Sequence, residues 1–139
     1  MLTLTDAVHY LLDTNILVAI SKNRPGLKAR LAQVPDRSIW VSSVVLAEIE
    51  YGIVKSAKPD LNRQVYEAVL EDFDVIDFGA AAARHYGRVR AELERRGQVI
   101  GPNDLMIAAQ ALTSGAVLVT DNVGEFSRVS GLLVENWLA

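Results

Sequence analysis

The sequence predicts an α/β protein, with a central parallel sheet covered by helices on both faces. Two observations predict it. Short apolar runs without polar alternation, such as Tyr10-Leu11-Leu12 and Val117-Leu118-Val119, read as strands buried on both sides. Between such runs lie longer segments with helical caps and helical apolar spacing, so strands and helices alternate along the chain.

Residues 9–12 form the expected first strand, which ends at Asp13. A short helix follows over 16–22, with Asn15 or Thr14 as its cap. Pro25-Gly26 is a turn, and 27–34 a second short helix. Residues 39–42 are a brief strand, and Ser42 or Ser43 caps a helix that runs to about Lys55. The break at 56–60 separates it from a helix over 61–71, making 43–71 a helical hairpin. Residues 73–78, with their β-branched and aromatic content, are a strand. A long helix spans 80–96, closed by Gly97 and presenting Ala82, Tyr86, Val89 and Leu93 on one face. Asn103 caps a helix over 104–113, and 116–120 is the next buried strand. Residues 132–135 are a candidate last strand.

The chain has 139 residues, with 50% apolar and 22% charged, which predicts one domain over residues 1–139 with a core of its own. It has no cysteine, which excludes a disulfide scaffold, a thiolate metal site and a thiol nucleophile. That usage suits a cytoplasmic location. No apolar stretch approaches the roughly 18–20 residues of a membrane span, so no membrane partner is expected. The first residues lack a basic segment and a small-residue cleavage site, so no signal peptide is read there. The net charge of −3 argues weakly against nucleic acid, but two bound divalent cations would bring it to +1.

Four acids stand where elements begin, end or turn polar: Asp13, Glu48, Asp104 and Asp121. Acids at strand ends in such a chain can converge at the carboxyl edge of a parallel sheet, where α/β folds place ligands. Gathered carboxylates repel one another and call for a hard cation such as Mg²⁺ or Mn²⁺. Each acid also has a plainer reading. Asp13 and Asp121 suit turns, and Asp104 suits the first turn of a helix. Glu48 is the strongest anomaly, because an unpaired carboxylate among Val, Leu and Ile is costly; Lys55 is its alternative partner. Arg84, Arg88 and Arg95 share a helix face that reads either as solvated or as a phosphate-contacting stripe. His9 and His85 have no helically spaced partner, and neither a phosphate-binding lysine loop nor a dinucleotide glycine motif occurs.

The segments LLDTN, SSVVLAEIEYG, IGPNDLMIAAQAL and LVTDNVGEFSRVSGLLVENW, in that order, resemble a PIN-domain ribonuclease of the VapC toxin type. The likeness runs from about His9 to Trp137. It implies a three-layer α/β/α fold and a Mg²⁺- or Mn²⁺-dependent endoribonuclease acting on tRNA or rRNA loops. It also implies a homodimer and neutralisation by a VapB-type antitoxin. By the same resemblance, Asp13, Asp104 and Glu48 are metal ligands, with either Asp121 or Asn122 as the last site residue. Asn15, Ser43, Thr120 and Asn122 would support them through hydrogen bonds. A PIN-like module that binds RNA or an antitoxin without cutting is the alternative. The hairpin 43–71, with Tyr51 and Val54, is the expected antitoxin surface.

Overall fold

A computed structural model describes residues 7–138. Residues 1–6, on which the signal-peptide reading partly rests, lie outside that range. The elements are β1 (Tyr10–Leu12), α1 (Thr14–Ser21), α2 (Leu27–Ala32), β2 (Ile39–Ser42), α3 (Ser43–Lys55) and α4 (Pro59–Leu70). They continue with β3 (Asp74–Ile76), α5 (Ala80–Arg95), α6 (Pro102–Ser114), β4 (Val117–Val119), α7 (Val123–Phe126) and β5 (Val134–Glu135).

The five strands form one parallel sheet in the order β3-β2-β1-β4-β5. Sequence order runs outward from β1 in both directions, so the chain reverses its winding between β1 and β4. A crevice opens at such a switch point, outside the carboxyl ends of the two strands. Leu12 pairs with Val119, and Asp13 N donates to Val119 O at 2.9 Å. That register sets Asp13 and Thr120 side by side at the mouth of the crevice.

The core explains why these runs are strands. Leu11, Leu12, Val41, Leu118 and Val119 are fully buried, as strands covered on both faces must be. Ile16, Leu17, Val45, Ile49, Ile53, Leu93, Leu105 and Ile107 supply the helical side of the same cluster. At roughly 25 cal/mol per Å² of apolar surface removed from water, this burial is the main force holding the layers together.

Helix starts differ from the sequence expectation in three places. Asp13, not Asn15 or Thr14, caps α1, its Oδ1 accepting from Thr14 N at 2.7 Å. Gly101 precedes α6 and Pro102 occupies its first turn, so Asn103 lies inside the helix rather than capping it. α4 begins at Pro59 instead of Leu61 for the same reason: proline lacks an N–H, which the first turn does not need. Ser42 is the cap of α3, accepting from Val44 N at 3.0 Å. Gly97 follows α5 in the left-handed region at φ 65°, as expected of a residue without a Cβ. The short helix α7 (Val123–Phe126) was not among the expected elements.

Candidate active site

The sheet's carboxyl edge gathers acids from four elements. Asp13 ends β1 and is only 5% exposed. Its Oδ2 accepts from Thr120 Oγ1 at 2.7 Å and its Oδ1 from Thr14 N. Burial pushes the Asp13 carboxyl above the usual carboxylate range, and these two donors pull against it. Glu48 projects from α3 and is half-buried. Its pKa is raised by burial, with a smaller upward push from Asp13. Asp104, in the first turn of α6, is pushed up to about 6 by burial, then by the charges of Asp13, Glu125 and Glu48.

Glu125 is the residue that sequence reasoning missed. It sits on α7, its charge helps to raise the Asp104 pKa, and it accepts from Asn122 Nδ2 at 3.0 Å. The available signal was an acid four residues beyond the aspartate that follows β4. Reading it required knowing that a single helical turn folds that segment back over the crevice.

Asp121 and Asn122 take two different placements. Asp121 is exposed and accepts from Asn15 Nδ2 at 3.2 Å. Asn122 turns inward, donating to Glu125, while its backbone N–H donates to Thr120 Oγ1 at 3.0 Å. Thr120 therefore bridges Asp13 to the loop that carries Asn122. The Ser43 Oγ accepts from Phe78 N at 3.0 Å instead of bonding to an acid. It does line, with Val44, Ala47, Glu48, Tyr51, Asn103 and Met106, a groove of about 440 Å³ between α3 and α6. A larger cleft of about 910 Å³ lies away from the acids, among α1, α2 and α4.

The plainer partner for Glu48 is not engaged. Lys55 stands over the Tyr51 ring at 5.5 Å and makes no ion pair with Glu48 among the described residues. Glu48 Oε1 is buried without a hydrogen-bond partner, and so is Thr14 Oγ1. Thr14 lies close enough to Glu48 to moderate its pKa, yet neither atom reaches a partner at bonding geometry. Among the described residues no three acidic or histidine side chains form a ready-made metal-holding group. The donor set nonetheless fits a hard divalent cation: carboxylate oxygens, mutually repelling, one of them orphaned and buried. Of the arginine face of α5, Arg95 is paired to Glu92.

A parallel sheet with carboxylates crowded at its switch point places oxygen donors where open α/β folds bind their ligands. Residues 10–132 match the PIN domain, and the chain belongs to the PIN-domain family. Its relatives there are VapC ribonucleases. It is 43% identical over 130 residues to the tRNA(fMet)-specific endonuclease VapC of Shigella flexneri, covering 94% of this chain and 98% of the relative. Ribonuclease VapC2 of Rickettsia felis is also 43% identical over 130 residues, covering 92% and 97%. Among solved structures, the DNA-bound VapBC of Salmonella typhimurium matches with a TM-score of 0.89 at 38% identity, covering 94% of this chain and 98% of that one. VapBC2 of Rickettsia felis, bound to a promoter DNA fragment, matches at 0.84 and 38%, covering 94% and 99%.

Proposed function

We propose that this chain is the toxin of a type II toxin–antitoxin pair and hydrolyses RNA phosphodiester bonds at the crevice between β1 and β4. The observation that carries this reading is the gathering of acids from four separate elements, with Asp13 buried at the end of β1 and Glu48 Oε1 buried without a partner, and with the charges of Asp13, Glu48 and Glu125 all raising the Asp104 pKa. Nothing in the folding of a small α/β domain calls for such a gathering, since each buried charge opposes it.

Asp13, Glu48 and Asp104 would hold a Mg²⁺ or Mn²⁺ ion, with Glu125 joining them. When bound, such a cation lowers the pKa of an attacking water and offsets charge on the scissile phosphate. The chain's own residues prepare that site. Thr120 and the Thr14 N–H orient the Asp13 carboxylate and favour its ionised form. Asn122 holds Glu125 toward Asp104. Asn15 ties Asp121 down at the rim, so Asp121 takes a supporting place rather than that of a ligand.

The relative from Shigella flexneri acts on tRNA(fMet), which makes an initiator tRNA the first defined substrate to try. The partner is a VapB-type antitoxin, as in the VapBC complexes. Tyr51 and Val54, 65% and 71% exposed on α3, supply apolar surface for that partner or for a homodimer. No helix among the described residues is long and apolar enough to cross a membrane, and the cytoplasm, where tRNA resides, is the proposed location.

The deciding experiment incubates the purified chain with total cellular RNA, with and without Mn²⁺, beside Asp13→Asn and Asp104→Asn. Discrete fragments that require both the ion and the acids are expected. Metal binding with no cleavage of any RNA would leave the non-cutting PIN module as the better reading.

A further inference from the structure

We infer that Gln110 is a positioning residue that, through Ser42, sets the separation of the two helix-borne acids Glu48 and Asp104. The inference rests on the site proposed above. Gln110 is 3% exposed and Ser42 is fully buried, on helix and strand segments otherwise lined by apolar side chains. Ser42 Oγ donates to Gln110 Oε1 at 2.5 Å. Gln110 Nε2 donates to Ile76 O at 3.2 Å and to Asp77 O at 3.0 Å.

The orientation of this amide follows from its partners. Ile76 O and Asp77 O only accept, so Nε2 must face them. Oε1 then faces Ser42, whose hydroxyl must donate to it and use a lone pair for Val44 N. Both Nε2 protons, Oε1 and the Ser42 hydroxyl are thereby engaged, and a saturated buried network of this kind holds one geometry.

Its position gives it leverage. Asp104 lies six residues before Gln110 on α6, and Glu48 lies six residues after Ser42 on α3. A groove lined by Ser43, Val44, Glu48, Tyr51, Asn103 and Met106 runs between the two helices from beside Ser42 to the acids. The Ser42–Gln110 bond ties the two helices together at one end of that groove, and the bonds to Ile76 and Asp77 fix the pair against the end of β3. A leucine at position 110 would fill similar space but has no directional bond with which to set the distance.

The test measures Mn²⁺ affinity by calorimetric titration of the purified chain, together with kcat and KM on tRNA and the melting temperature. The variants are Gln110→Leu and Ser42→Ala, beside Asp104→Asn and the remote core variant Leu27→Ala. Both network variants should weaken Mn²⁺ binding about 10–100-fold, the usual effect of removing a residue that orients ligands, and lower kcat with KM for RNA unchanged. Leu27→Ala should lower the melting temperature and leave Mn²⁺ affinity alone. Should Gln110→Leu fail to fold, Ser42→Ala decides, because it keeps the Gln110 bonds to Ile76 and Asp77. Native Mn²⁺ affinity in the network variants, or equal weakening in Leu27→Ala, overturns the inference while loss of binding in Asp104→Asn leaves the site reading standing. Native affinity in Asp104→Asn removes the site reading and the inference with it.

Discussion

Thr120 Oγ1 donates to Asp13 Oδ2 at 2.7 Å, a bond between residues 107 positions apart that joins the ends of β1 and β4. It is buried, and the same hydroxyl accepts from Asn122 N. One side chain thus orients the buried aspartate and anchors the loop leading to Glu125.

Replacing that hydroxyl tests the arrangement. Thr120→Val should cost about 1–3 kcal/mol of stability by leaving Asp13 Oδ2 unpaired. It should also raise the Asp13 pKa further and weaken Mn²⁺ binding and cleavage together. Thr120→Ser should recover most of both losses. Native cleavage in Thr120→Val would show that Asp13 needs no such support.

The raised pKa of Asp104 has a signed consequence for stability. A carboxyl whose folded pKa is about 6, against 3.8 for the unburied group, binds its proton more tightly when folded. Its contribution to stability is full below about 3.8 and is lost as pH rises through about 6. In chelator at about pH 7, Asp104→Asn should therefore melt above the native chain, and the advantage should disappear by about pH 4. An Asn variant that melts lower at neutral pH would contradict the crowding of charge around Asp104.

Glu48→Gln removes a charge that no cationic side chain answers among the described residues. Mn²⁺ affinity should fall while the metal-free melting temperature holds or rises, because Glu48 Oε1 has no partner to lose. A lower melting temperature with unchanged metal affinity would point to a structural role instead.

Glu125 and Asp121 should separate by titration of function. The charge of Glu125 bears on Asp104, whereas Asp121 is exposed and bonded to Asn15. Glu125→Gln is expected to reduce Mn²⁺-dependent cleavage far more than Asp121→Asn. The reverse order in a cleavage assay on the two variants would return Asp121 to the centre of the site.

The sequence by itself determined the fold class and most of its elements. Two-sided burial leaves an unmistakable apolar run at β1 and β4, and helical periodicity marks α5 and α6 whatever their neighbours are. It also determined which acids were anomalous, because Glu48 among valines and leucines violates a local rule that needs no coordinates. What it left open was set by contacts across long stretches of chain. Whether Glu48 pairs with Lys55 depended on where Tyr51 holds that lysine. Whether Asp121 or Asn122 faces inward depended on the Thr120 hydroxyl and on the single turn of α7. Glu125 joined the site only because that turn brings it near Asp104 in the first turn of α6. Local patterns follow from the energetics of single residues and their near neighbours, so they are written in the chain. The meeting of Asp13, Glu48, Asp104 and Glu125 follows from strand register and winding order, which only the assembled sheet defines.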